Sequence, residues 1–177
     1  GLRALVTAYK LQAFRQNPAL DSVSTDPSDG GGWCECDACA ALGSVSDRAV
    51  LLSNAVAEAV AREIGPRYVG MYAYHLHSPP PTVRVHPHVI VSVATAFISG
   101  GFTVDELIDG WSARGAKLGI REYLSVNVWD RDRPGGPRGA NTAYLARTIP
   151  HFHAKGAIAM VTDPGDNWGP CGLGYFL

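Results

Sequence analysis

Val89-Ile-Val-Ser-Val-Ala-Thr-Ala-Phe97 is almost wholly apolar and rich in β-branched residues. A strand with one wet face alternates apolar and polar side chains. A run without that alternation, too short for a helix, reads as a strand covered on both faces, and such strands belong to parallel sheets. Four other stretches, Ala19–Thr25, Tyr68–His77, Leu118–Val128 and Ala157–Val161, also read as strands.

Helical patterns lie between most of them. Leu2, Leu5, Val6, Tyr9 and Phe14 recur at roughly helical spacing, and Asn17-Pro18 stops that run. Ser46 is the predicted N-cap of a long helix reaching Ile64, with Leu52, Val56, Ala59, Val60 and Ile64 inward and Gly65-Pro66 as its stop. Thr103 and Glu106 form a capping box before Val104, Leu107, Ile108 and Trp111. Asn141 is predicted to cap a helix to about Lys155, kinked or split at Pro150 and ended by Gly156.

Strands alternating with helices imply parallel βα units. A doubly wound sheet and a (β/α)8 barrel both satisfy the pattern. The barrel is favoured because reactive residues follow nearly every strand rather than one switch point, and because no Gly-x-Gly-x-x-Gly follows a strand. A whole barrel takes ~250 residues. The expectation for this α/β chain is therefore the C-terminal portion, about five βα units, of a (β/α)8 TIM-type barrel. Residues 1–177 would form a single incomplete domain, truncated at both ends, with the remaining N-terminal part of the same barrel as its partner.

Composition narrows the partners. Hydrophobic residues make up 46% and charged residues 18%, the balance of a compact globular chain. A net charge of -1 without a basic block argues against nucleic acid. No apolar run approaches the ~20 residues that span a bilayer, so no membrane role is expected. The chain opens on Gly1 and not on methionine, so the compartment stays unknown.

The densest chemistry lies in Ser24–Cys39, which holds four carboxylates, three glycines, a tryptophan and three cysteines. Other strand ends bring Tyr74, His75 and His77; Thr95; Asn127, Trp129 and Asp130; and Asp163, Asp166, Asn167 and Trp168. In a barrel these meet on one rim. Carboxylates among indoles and phenols suit sugars: aromatic faces stack on ring C–H groups and carboxylates accept hydroxyl hydrogens. Glycoside cleavage usually needs two carboxyl groups, ~5 Å apart for retention or ~6.5–9.5 Å for inversion. Asp29 and Asp163 are the candidates, although each is about equally well explained as a turn residue. Alternation puts His75 and His77 on one face of their strand and Tyr74 on the other, so the three are not expected to share a site.

Cys34-x-Cys36-x-x-Cys39, with Cys171 in the loop after the last strand, admits three readings: a structural zinc, disulfides of an exported protein, or reduced and buried thiols. A structural role that pins the glycine loop, through metal or disulfide, is slightly favoured. No cofactor is expected for catalysis.

The run Ser28-Asp-Gly-Gly-Gly-Trp-Cys-Glu-Cys-Asp-Ala-Cys39 resembles the family called domain of unknown function 4838. So do Ser46-Asp-Arg48 with Asn54–Val60, Tyr72-Ala-Tyr74 before a proline run, Trp129-Asp130 before a Pro-Gly loop, and Asp166-Asn-Trp-Gly-Pro170. That family is similar to (β/α)8 glycoside hydrolases, distantly α-glucuronidases. Its members are usually exported by bacteria that degrade polysaccharides, which implies a secreted or periplasmic setting. Asp163 stands where the family carries an acidic residue, commonly glutamate.

The resulting expectation is a glycoside hydrolase acting on a polysaccharide or uronate-containing oligosaccharide. Asp29 and Asp163 would be its acid/base or nucleophile pair. Tyr74, His75, Trp129, Asp130, Asn167 and Trp168 would hold the carbohydrate. A non-catalytic carbohydrate-binding barrel and a zinc-dependent enzyme built on the cysteines are the alternatives.

Overall fold

The computed structural model describes residues 1–29, 31–124 and 141–163. In chain order the elements are α1 (Leu2–Gln16), β1 (Ser22–Ser24), α2 (Asp37–Ala40), α3 (Val45–Glu63), β2 (Tyr68–His75), β3 (Val89–Ile98), α4 (Val104–Ala113), β4 (Lys117–Tyr123), α5 (Thr142–Ala154) and β5 (Ala157–Asp163). The five strands form one sheet in the order β1-β2-β3-β4-β5, and every neighbouring pair is parallel. A doubly wound sheet would reverse direction at a switch point. This one does not. It curls as half of a barrel wall, as expected when sequential right-handed crossovers stack their helices on one side.

That side is the core. Val69, Met71 and Ala73 of β2, Val89, Val91 and Val93 of β3, and Leu118 and Ile120 of β4 are all buried. They share one cluster with Val50, Val56 and Val60 of α3, Leu107, Ile108 and Trp111 of α4, and Leu11 and Phe14 of α1. Burying each Val, Leu, Ile or Phe side chain is worth ~1.5–3 kcal/mol before entropy is counted. The opposite face of β3 departs from the sequence expectation, because Ile90 and Ser92 there are only half-buried.

Two helix signals read differently in three dimensions. Ser44, not Ser46, caps α3: its hydroxyl accepts from the Asp47 amide at 3.1 Å while the Asp47 carboxylate accepts from the Ser44 amide at 2.9 Å. Ser46 lies buried inside the first turn. Pro150 does not split α5, which is one element through Ala154. Proline removes one amide donor and leaves the carbonyl four residues back without its helical partner. Both Ala146 and Pro150 are exposed, so solvent can satisfy that carbonyl.

No helix joins β2 to β3. Residues 76–88, with Pro79-Pro80-Pro81, make the crossover instead and are tied to the helices by side chains. Trp111 Nε1 donates to the Ser78 carbonyl at 2.8 Å. Asn54 bridges the Arg84 carbonyl and the His86 amide, each at 2.8 Å. Gly110 leaves room for the Pro80 ring, which a β-carbon there would overlap.

Candidate functional site

Because all five strands run the same way, their C-terminal ends share one rim. Tyr74, at the end of β2, is the hub. Its ring centroid lies 6.0 Å from His75, 6.3 Å from His77, 5.7 Å from Phe97 and 6.5 Å from Tyr123, the last pair stacked. Trp33, 5.8 Å from His77, extends the group into the cysteine loop.

The two histidines and Tyr74 thus share one cluster, contrary to the alternation argument. Pairing with β3 shifts register between Ala73 and His75, and His75 takes a positive φ of 47°. Strand geometry ends there, so alternation no longer dictates where His77 falls. Phe97, at the end of β3, has φ 55°. Positive φ is uncommon outside glycine and costs of order 1–3 kcal/mol. Among the described non-glycine residues only these two adopt it. Both touch Tyr74.

Charge surrounds the rings. The Arg121 guanidinium lies 5.5 Å from the Tyr72 centroid and 5.2 Å from that of Tyr123, and Arg121 Nη2 donates to Asp163 Oδ2 at 2.8 Å. Burial pushes the Tyr74 phenol above its ordinary pKa; Tyr123 and the nearby Asp29 charge add to this, and Arg121 opposes it. Tyr74 is therefore a neutral hydroxyl donor at physiological pH. Burial likewise depresses the His77 pKa, with His75 adding to the effect and Asp26 opposing it, so this imidazole is neutral at pH 7.

The sequence-predicted residues fall as follows. Asp29 is exposed and its charge helps to raise the Tyr74 pKa, while Asp163 is half-buried against Arg121. Asp26 is occupied with structure: Oδ1 accepts from the Tyr72 amide and Oδ2 from the Ser24 hydroxyl, each at 2.5 Å. Trp129, Asp130, Asn167, Trp168 and Cys171 lie outside the described residues.

Sequence reasoning passed over Tyr72, Arg121, Tyr123 and Glu122. The first three were legible: Tyr72 is two residues before Tyr74 and Arg121 two before Tyr123, so each pair shares a strand face. Glu122 interrupts the inward series Leu118, Ile120. It is fully buried and accepts from Thr95 Oγ1 at 2.7 Å, the Tyr144 hydroxyl at 2.8 Å and the Tyr123 amide at 2.9 Å. These bonds pin α5 to the sheet. A cleft of about 420 Å3, lined by Thr95, Val104, Tyr144 and Phe152 among others, opens beside α4 and α5.

The cysteine loop stands beside this rim. The sulfurs of Cys34, Cys36 and Cys39 lie within 4.8 Å of one another, and Cys34 and Cys36 are 3.4 Å apart. All three are free thiols. Hydrogen bonds that the Cys39 thiol donates to Cys34 and Cys36 push its pKa up to about 11. The backbone amide of Cys39, then the Cys34 and Cys39 thiols, hold Cys36 below its ordinary value. Three sulfurs this close are a set that could hold one soft divalent cation.

Arg121→Met keeps much of the side-chain volume and removes the charge between two rings. Each ring contact is worth ~0.5–2 kcal/mol and a partly exposed ion pair ~1 kcal/mol or less. A loss of roughly 1–3 kcal/mol in urea unfolding is expected; an unchanged midpoint would show that the stack carries no weight.

No curated protein and no solved structure matches this chain. Residues 3–128 match the family model described as Domain of unknown function (DUF4838), and with most of its length so matched the chain belongs to that family.

Proposed function

We propose that this protein is a carbohydrate-active enzyme, a glycoside hydrolase whose half-barrel sheet belongs to a (β/α)8 barrel and whose substrate is a polysaccharide or uronate-containing oligosaccharide. The observation that carries this reading is the rim around Tyr74: stacked rings at the strand ends, with the Asp29 charge felt at Tyr74 and the Arg121–Asp163 pair beside Tyr123. A sugar ring would lie over Tyr74 and Tyr123, and the neutral Tyr74 hydroxyl would donate to it. One acid would protonate the leaving oxygen. The other would attack the anomeric carbon or activate water, depending on the carboxyl separation once substrate is bound.

The test is a panel of aryl glycosides and aryl uronides offered to the full-length protein, with release of the phenol as readout. Saturable turnover of at least one is expected. Binding of oligosaccharide without release of any aglycone would favour the second reading, a non-catalytic carbohydrate-binding barrel. One contact supports that alternative: Asp163 is already engaged by Arg121. The cysteine-based zinc enzyme is the weaker proposal, since among the described residues no histidine joins the three sulfurs as a fourth ligand.

A further inference from the structure

We propose that Cys34, Cys36 and Cys39 bind Zn(II) through their three sulfurs, and that the metal fastens the loop following β1 to α2. Three observations carry this independently of any reaction at Tyr74. First, the thiols are not core residues: Cys34 and Cys36 are exposed and Cys39 is half-buried. Reduced cysteine that serves only as a small hydrophobe is normally among the most buried residue types.

Second, their geometry suits one ion better than a disulfide. A pairwise bond leaves one of three neighbouring thiols over. A tetrahedral ion with Zn–S near 2.3 Å needs sulfurs roughly 3.8 Å apart. The trio, mutually within 4.8 Å and with Cys34 and Cys36 3.4 Å apart, brackets that value without an ion to draw it in.

Third, the backbone is already shaped to present them. Cys36 caps α2, and its carbonyl accepts from the amides of Cys39 and Ala40, both at 2.9 Å. That turn brings the sulfurs of Cys36 and Cys39 to the same side. Arg48 of α3 reaches back to the loop, donating from Nη1 to the Cys34 carbonyl at 2.6 Å and lying 5.5 Å from the Trp33 centroid. Each thiol releases its proton to solvent as its sulfur–zinc bond forms. Water can complete the tetrahedron, since the sulfurs face solvent.

The experiment uses full-length protein purified without chelator. Zinc is measured by plasma mass spectrometry after dialysis. Demetallated protein is then titrated with Co(II), following the thiolate-to-cobalt charge-transfer absorption. About one zinc per chain is expected, with a charge-transfer band that added Zn(II) abolishes. Cys36→Ser should weaken metal binding at least tenfold while circular dichroism reports an intact fold; if that variant unfolds, the Co(II) spectrum of the wild-type protein decides. Protein that retains no zinc and gives no charge-transfer band overturns the proposal, whether its thiols prove free or oxidised. Full zinc retention by a folded Cys34→Ser/Cys39→Ser double variant overturns it as well, because the metal would then lie elsewhere.

Discussion

Asp163→Asn and Asp29→Asn are each expected to lower turnover of a reactive aryl glycoside by roughly 10²–10⁴-fold, the usual contribution of a positioned acid or base. Asparagine preserves shape and hydrogen-bonding reach but can neither carry the negative charge nor shuttle the proton. Oligosaccharide binding should therefore change far less than kcat. The two substitutions should still differ in KM. Asp163 is bonded to Arg121, itself held between Tyr72 and Tyr123. Losing that carboxylate frees the guanidinium to shift between its rings and disturbs the cluster on which the proposed sugar would rest. Asp29 is exposed and makes no comparable contact with Arg121 among the described residues. A rise in KM is expected for Asp163→Asn and little for Asp29→Asn. Wild-type kcat in both variants would sink the two-carboxylate mechanism and leave the rim as a binding surface.

What the sequence made legible follows the range of each signal. The five strands and four main helices could be placed because their apolar periodicity is local, and an order of parallel βα units needs nothing more. The capping box at Thr103 and Glu106 was found because three residues suffice to define it. The cap of α3 was placed two residues late, at Ser46, because a serine there also precedes the apolar face. Only the partner three residues on, Asp47 rather than Ala49, identifies the true cap. The rim was harder. Tyr74, His75 and Asp163 could be named from their positions after strands. Arg121 could be placed on one strand face with Tyr123, but its weight comes from Tyr72 and Asp163 on two other strands. His77 was set apart from Tyr74 because alternation was carried past the point where a positive φ at His75 ends it. The cysteine trio was visible as spacing, but its exposure, which separates a ligand set from core thiols, comes only from the folded chain.

Asp47→Ala is expected to cost about 3–5 kcal/mol, among the largest single effects in the molecule. Asp47 is 2% exposed and both its oxygens are in use. Oδ2 accepts from the amide and hydroxyl of Ser44, each at 2.9 Å, closing the α3 capping box. Oδ1 accepts from the Thr82 amide at 2.6 Å, the Thr82 hydroxyl at 3.0 Å and the Val83 amide at 3.2 Å, fixing the crossover that replaces a helix between β2 and β3. A cap alone contributes ~1 kcal/mol. The excess expected here comes from the second set of donors, which alanine would leave buried without an acceptor. Ser44→Ala, which spares that set, should cost only ~1 kcal/mol, so the difference between the two variants isolates the crossover.

The pH dependence has a definite sign. Burial raises the Asp47 pKa, but the bonds from Ser44, Thr82 and Val83 outweigh it and hold the folded value below 3.8. A carboxylate depressed on folding stabilises fully above its unfolded pKa and loses that contribution as pH falls through the folded value. The gap between wild type and Asp47→Ala should thus be flat above about pH 5 and narrow below about pH 4. Urea midpoints at pH 7 and pH 3 measure it. A gap under ~1 kcal/mol at pH 7, or one that widens in acid, would mean that Asp47 does not hold α3 to the crossover.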